Sequence, residues 1–245
     1  MSSEDVKRVI KRELGPKMYR NSGGVMLSGT DALRPGLAYI MGLNPGGDPK
    51  AEGYERSIID SVDERRQFSC YLNECWQPRC NGPEGACEHI SSGLVKPEYL
   101  VKHQRNVAKL ANALSLDLRD IFSANAIFAR STSKATLAKQ TGHSMEEWWR
   151  VCWPVHQHFL GIVRPKVIIT LGYGFGSSAF GLLWNVAGKP DYRRLGDNGR
   201  RGGWVFDADF PLPDSKLKTL VVGIPHPSYM AVGAELTEAL HALAS

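Results

Sequence analysis

The chain has 245 residues, 42% of them hydrophobic and 22% charged, with a formal net charge of +5 at pH 7. These are ordinary globular values and exclude a disordered chain. No apolar run reaches the roughly 18 residues that a membrane helix needs, and the charged N-terminus lacks the apolar stretch of a secretory signal. We therefore expect an intracellular protein (cytoplasm or nucleus) without a membrane partner. The length allows one domain over 1–245.

Hydrophobic periodicity predicts short strands separated by amphipathic helices. Strands are predicted at 37–41, 121–125, 167–171 and 219–224, and helices at 4–14, 97–115, from Ser144 onwards, after Gly176 and at 231–243. Residues 189–217 are predicted to form loops or a hairpin with a basic tip. Strongly apolar strands that alternate with helices are typical of parallel sheets covered on both faces. The predicted fold is therefore α/β: a three-layer αβα domain around a central four-stranded, mostly parallel sheet.

Four of the five cysteines lie in a segment at about 50–96 that has no clear period and is predicted to be an insertion. They are Cys70, Cys75, Cys80 and Cys87, and His89 follows them. Zinc ribbons space paired ligands two to four residues apart, and ferredoxin-type clusters usually contain a two-residue gap. The spacing here fits neither pattern tightly. We predict thiols without a metal or other cofactor, and a structural metal is the alternative.

Ligands of open α/β sheets bind outside the carboxyl ends of the strands. In this chain, those positions supply three polar side chains: Asn44, Asn125 and His226. Taken singly, each has a structural interpretation, as a turn residue, a backbone bridge or a buried histidine. The glycines at 172–176 are spaced G-x-G-x-G, without the acidic residue about 20 positions on that a dinucleotide site would have, and predict a tight turn.

In combination and in order, these motifs resemble the uracil-DNA glycosylase superfamily. Gly42-Leu43-Asn44-Pro45-Gly46 and His226-Pro227-Ser228 resemble its two signature motifs, and Asn125 resembles its base-reading asparagine. The segment 164–172 is similar to its third strand, and the resemblance runs from about 37 to 243. The first motif looks like the mismatch-specific and single-strand-selective branches. The last motif, His226-Pro227-Ser228, looks like the single-strand-selective and aspartate branches. The chain therefore has mixed features of the mismatch-specific and single-strand-selective branches.

The resemblance implies a monofunctional DNA repair enzyme for base excision repair, one that hydrolyses the N-glycosidic bond of flipped-out uracil. The partners would be uracil-containing DNA, single- or double-stranded, and the abasic DNA product, bound by a monomer. Asn44 would orient the attacking water, and His226 would donate a hydrogen bond to uracil O2. Asn125 would accept from uracil N3–H and donate to O4.

Further site residues follow from the same resemblance. Leu43 and Gly46 are expected beside the base, and a stacking ring is expected from Tyr54 or, as alternatives, Phe68 or Tyr71. Ser228 is expected to contact a phosphate. Tyr229 and Met230 are expected to fill the gap that the flipped base leaves.

One departure from the family pattern concerns the choice of base. The aspartate branch has a tyrosine in the first motif that blocks the thymine methyl group, whereas this chain has Gly46-Gly47 there. Thymine-like bases could therefore be admitted unless another residue blocks them. Because Asn44 stands in place of a carboxylate, a non-catalytic module that binds uracil or abasic sites is the main alternative. A nucleotide-phosphate enzyme that uses Gly172–Gly176 would lack a Lys-Ser/Thr pair.

Overall fold

The computed structural model describes residues 1–51, 56–77, 88–196, 202–229, 233–234 and 237–240. Its helices are α1 (Ser3–Leu14), α2 (Pro16–Tyr19), α3 (Cys70–Asn73), α4 (Lys102–Ala113), α5 (Leu137–Thr141), α6 (Met145–Val163) and α7 (Ala179–Val186). Its strands are β1 (Ala38–Gly42), β2 (Ile90–Ser91), β3 (Leu94–Val95), β4 (Phe122–Asn125), β5 (Val167–Leu171), β6 (Arg193–Leu195), β7 (Gly203–Pro211) and β8 (Lys216–Ile224). Short 3-10 turns lie at Thr30–Ala32, Pro97–Tyr99 and Lys134–Thr136.

The helix and strand starts follow local sequence signals. The predicted capping box at Ser144 is present, because its hydroxyl accepts from the Glu147 N–H and the Glu147 carboxylate accepts from the Ser144 N–H. A second capping box, Ser2 with Asp5, begins α1. The predicted strands at 37–41, 121–125 and 167–171 are confirmed as β1, β4 and β5. Within the predicted final helix at 231–243, residues 234 and 237–240 are described as helical, whereas Gly233 is not helical.

The central sheet has six strands in the order β4-β1-β5-β8-β7-β6, so the prediction of four strands is wrong. The four predicted strands form the parallel part, and β7 and β6 add antiparallel pairs beside β8. The hairpin alternative for the segment 189–217 is therefore confirmed by the antiparallel pairing of β6 with β7, and Arg200 and Arg201 of its predicted basic tip lie outside the described residues. Exposed Asp207 and Asp209 alternate with buried residues along β7. Such alternation is typical of an antiparallel strand with one solvent-exposed face. In the sequence, however, the charged residues of β7 are also compatible with a loop.

An apolar cluster covers each face of the sheet. Tyr39 and Met41 of β1 pack in a cluster with residues of α1, α6 and α7. Ala38 and Ile40 of the same strand pack with residues of α4. The alternation is the period of two that a strand buried on both faces requires. None of the helices in the described part of the chain is long and apolar enough to span a bilayer.

The segment 22–29 covers the open edge of β4 and was missed by the sequence analysis. It runs antiparallel to this strand, with isolated bridges Gly23–Ala129 and Met26–Ala124. Gly23 is required here because a Cβ would lie 2.1 Å from the Phe128 carbonyl oxygen. On its other side, the Gly23 N–H donates to the carbonyl of Arg56. Arg56, the first described residue after the gap at 52–55, therefore lies beside Gly23.

Candidate active site

The carboxyl ends of four adjacent parallel strands share one edge of the sheet. In the register of β1 and β4, Gly42 pairs with Asn125, and in that of β5 and β8, Leu171 pairs with Ile224. Neighbouring strands lie about 4.8 Å apart. Asn125 is the last residue of β4, and the loops that follow β1 and β8 carry Asn44 and His226, so the structure places all three at the same edge, as the sequence predicts.

Asn125 is buried, with 4% of its surface exposed, and its amide is held in one orientation. Its Nδ2 donates to the Gly24 carbonyl at 3.2 Å. A carbonyl oxygen only accepts hydrogen bonds, so the amide group cannot be turned round without losing this bond. The Oδ1 atom lies over Gly42, where a Cβ would be only 3.1 Å from it. A glycine at the end of β1 therefore leaves room for the asparagine carbonyl.

Asn44 is half-buried and is oriented by its neighbours in the same way. Its Nδ2 donates to the Pro45 carbonyl at 3.0 Å and to Ser131 Oγ at 2.9 Å. The Ser131 hydroxyl uses its single proton to donate to the Ser133 carbonyl, at 2.9 Å, and so serves Asn44 as an acceptor. These bonds occupy the amino group of Asn44 and make its Oδ1 the atom that can accept from a water or ligand.

The loops after β1 and β4 are joined through their backbones. Ala126 N–H donates to the Gly42 carbonyl and Ile127 N–H to the Leu43 carbonyl, both at 2.8 Å. The side chain of Leu43 packs against the apolar core, so its backbone is the part that faces the neighbouring loop. Gly46 is exposed, and a Cβ on it would meet nothing within 4 Å. The space beside the first motif is open at this position.

His226 follows β8 and is exposed at the edge. Its Nδ1 accepts from the Ser228 N–H at 3.3 Å, so a neutral ring carries its proton on Nε2. Partial burial lowers the pKa of the His226 imidazole, which favours that neutral form. Gly172 has φ at +113°, a backbone conformation that favours glycine, and a Cβ there would be in ordinary van der Waals contact with His226 Cδ2, at 3.9 Å.

Helix α4 holds the His226 loop through side chains that the sequence analysis missed. Lys102 Nζ donates to the Tyr229 carbonyl and Asn106 Nδ2 to the Pro227 carbonyl, each at 2.7 Å. Between them, His103 Nδ1 lies 3.1 Å from Ser228 Oγ. Positions 102, 103 and 106 share one face of a helix. That spacing was visible in the sequence, but nothing in it shows that this face meets the last loop.

The residues predicted to contact DNA or to stack on the base differ in their exposure and position. Tyr229 is 77% exposed beside His226, and Ser228 is exposed next to it. Phe68 is half-buried under the Arg65 guanidinium, 4.3 Å from the ring centroid. Its carbonyl accepts from Gly29, part of the segment that runs back along β4, so Phe68 lies away from the strand end. Tyr54 and Met230 lie outside the described residues.

Tyr71 is fully buried, so it presents no ring surface to a base and its prediction as a stacking residue is wrong. Its ring is parallel to that of His103, with centroids 5.9 Å apart, and Trp76 packs against its edge. The ring belongs to the apolar cluster between α4 and the sheet. A loop-like sequence favours an accessible aromatic side chain, whereas the short helix α3 turns Tyr71 inward.

The described cysteines do not assemble a metal site. Cys70 is buried, and Cys75 Sγ lies 3.5 Å from His89 Nδ1. Cys80 and Cys87 lie outside the described residues. Within the described ranges, no three His, Cys, Asp or Glu side chains are grouped so that they could hold an ion.

The sequence matches no protein-family model, and no curated protein is significantly similar to it.

Proposed function

We propose that the protein is a uracil-DNA glycosylase, which hydrolyses the bond between uracil and deoxyribose and leaves an abasic site. The observation that carries the proposal is the set of oriented groups at one sheet edge. These are the free Oδ1 of Asn44, the fixed amide of Asn125 and the Nε2–H of His226. The apolar clusters on both faces of the sheet support the three-layer αβα arrangement of the superfamily that the motifs resemble.

The Asn125 amide has the hydrogen-bonding groups that uracil requires. One hydrogen of Nδ2 is used by the Gly24 carbonyl, and the second is left to donate to uracil O4. Oδ1 accepts from uracil N3–H. Cytosine presents an acceptor at N3 and a donor at N4, so the same fixed amide would place like groups against each other. The orientation given by Gly24 therefore supports discrimination between these two bases.

Asn44 acts on the attacking water, and His226 acts on the uracil leaving group. The sugar passes through an oxocarbenium-like state, and Asn44 Oδ1 holds the water that attacks C1′. An amide takes no proton at neutral pH, so Asn44 orients this water without acting as its base. The departing uracil gathers negative charge on O2, where a donor such as His226 Nε2–H stabilises the transition state by roughly 3–4 kcal/mol.

Cationic side chains around the same edge support DNA as the substrate. Lys102 donates to the Tyr229 carbonyl, Arg130 to the Gly46 carbonyl and Lys134 to the Gly176 carbonyl. Each therefore lies at one of the loops that follow the parallel strands, where it can attract phosphates. Flipping a base costs a few kcal/mol, and exposed Tyr229 is suited to fill the gap. We propose that Ser228 contacts a phosphate and that the protein acts as a monomer on single- or double-stranded DNA.

The test is excision from labelled oligonucleotides that contain one uracil, single-stranded or paired, followed by alkali to break abasic sites. The same oligonucleotide with thymine tests whether the open space at Gly46 admits a 5-methyl group. We expect strand breaks at uracil with the wild-type protein and about 100-fold slower breakage with H226A. A gel shift without breaks would identify the binding module instead, and neither breaks nor a shift would refute both functions.

A further inference from the structure

His103 of α4 is enclosed by the site without belonging to any of the predicted motifs. Its ring is parallel to that of Tyr71, and its centroid lies 5.6 Å from that of Trp76 and 5.3 Å from that of His226. Its Nδ1 lies 3.1 Å from Ser228 Oγ. Aromatic rings therefore hold the imidazole on three sides, and its polar atom meets the loop that carries His226.

We propose that His103 is a positioning residue that acts through Ser228 to fix the ring of His226. The inference rests on the proposed function for its role in catalysis. Ser228 is the link, because its side chain bonds to His103 and its backbone N–H donates to His226 Nδ1. Displacing Ser228 would therefore remove the bond that keeps the His226 proton on Nε2.

The surrounding contacts explain why this link is firm. Lys102 and Asn106 bond to the carbonyls of Tyr229 and Pro227, on either side of Ser228. The three consecutive residues 227–229 are thus each tied to the first turns of α4. Tyr71 and Trp76 limit the movement of the His103 ring, so its Nδ1 stays directed at the Ser228 hydroxyl. A rotating side chain would lose more entropy on making the same bond.

The charge state of His103 suits this structural task. Burial, and secondly any charge on His226, lower the pKa of His103 to about 4. The ring is therefore neutral at neutral pH. Two charged imidazoles with centroids 5.3 Å apart would repel each other, so a neutral His103 suits a His226 ring that donates through Nε2–H in its neutral form.

The first test is a double-mutant cycle on single-turnover uracil excision at saturating DNA. H103F keeps the aromatic packing and loses the hydrogen bond, and S228A removes its partner. We expect each to slow excision about 10-fold, and the double variant to be no slower than the slower single variant. H103N, whose amide can replace the Nδ1 group as either donor or acceptor, should recover most of the rate. K109A, at an exposed position further along α4, is the control.

The second test is independent of activity: nitrogen NMR of His226 in the 245-residue chain without DNA. We expect a single Nε2–H tautomer in the wild type and a mixture of tautomers in both H103F and S228A. Because the Ser228 side chain is exposed, S228A decides the question even if H103F fails to fold. An additive cycle, or a His226 tautomer unchanged in these variants, would overturn the inference. A wild type that excises no uracil would refute the proposed function, and the NMR result would still decide the His103 link.

Discussion

The two halves of the candidate site are held by different kinds of bond. In the half that contains Asn44 and Asn125, backbone groups join the loops, and the buried amide of Asn125 bonds to a third backbone segment. In the half that contains His226, the loop is exposed and side chains of α4 hold it. Backbone bonds between loops fix geometry without ordering long side chains, whereas each side-chain tie must offset lost rotamer freedom. The half that contains Asn44 and Asn125 is therefore the more rigid one.

The largest effect on excision is expected from a substitution of Asn125, in the more rigid half of the site. N125D keeps the shape but has no amide hydrogen for uracil O4 or for the Gly24 carbonyl. Because mispaired buried groups cost ~1–3 kcal/mol each, we expect uracil excision to fall by about 1,000-fold. Weak excision of cytosine should appear, since a carboxylate can accept from its N4 amino group, and desolvation of the charge should keep this activity slow.

Single-turnover rates on uracil and cytosine oligonucleotides measure both effects of N125D. Binding of the abasic product and thermal melting provide the control for folding. Uracil excision at the wild-type rate would mean that Asn125 does not read the base.

The His226 half is tested by H226A, for which we expect a loss of about 100-fold or more in single-turnover excision. The lost group acts on charge that develops in the transition state, so the affinity for uracil DNA should change much less. Gel-shift titration measures that affinity. H158A is the matched control, because His158 contacts Arg12 of α1, away from the sheet edge. An unchanged rate would make His226 a structural residue.

Acid should destabilise the fold through a buried histidine that contacts the segment after Asn125. His156 Nε2 donates to the Ala126 carbonyl at 3.0 Å, and its Nδ1 accepts from the Tyr39 hydroxyl at 2.8 Å. Burial lowers the pKa of His156 from 6.5 to about 4. Between these values the unfolded chain binds the proton that the folded one excludes, so stability is full above pH 6.5 and falls as pH falls.

At pH 5 this difference amounts to about 2 kcal/mol for His156. Urea unfolding at pH 7 and pH 5 measures it, and the loss should be smaller in H156Q by about that amount. Y39F should be less stable at both pH values but keep the pH dependence of stability, because the His156 imidazole remains buried. An equal loss in H156Q and the wild type would show that another group titrates.

The smallest effect on excision is expected from loss of the Ser131 hydroxyl, which orients the Asn44 amide. S131A removes the hydroxyl that accepts from Asn44 Nδ2 at 2.9 Å. One neutral hydrogen bond contributes about 1 kcal/mol, so we expect excision to slow by about fivefold. S133A is the control in the same loop, because the Ser133 backbone carbonyl that receives the Ser131 proton is retained. Equal rates for S131A and S133A would mean that the Asn44 amide needs no support from Ser131.

The parallel part of the fold and the location of the site could be predicted from the sequence. Uninterrupted apolar runs such as Val167–Leu171 indicate strands buried on both faces, and Ser144 with Glu147 indicates the start of a helix. Parallel strands bring their carboxyl ends to one edge, so the order of the motifs was enough to place Asn44, Asn125 and His226 together.

The tertiary structure alone decided what surrounds these residues. Gly24 orients Asn125 from a segment about 100 positions away, and His103 meets Ser228 from a helix 125 positions away. Such contacts leave no periodicity in the sequence, because they depend on which faces of distant elements meet. The added strands β6 and β7 and the burial of Tyr71 have the same origin. Local patterns report which element a residue belongs to, whereas packing determines which neighbour that residue contacts.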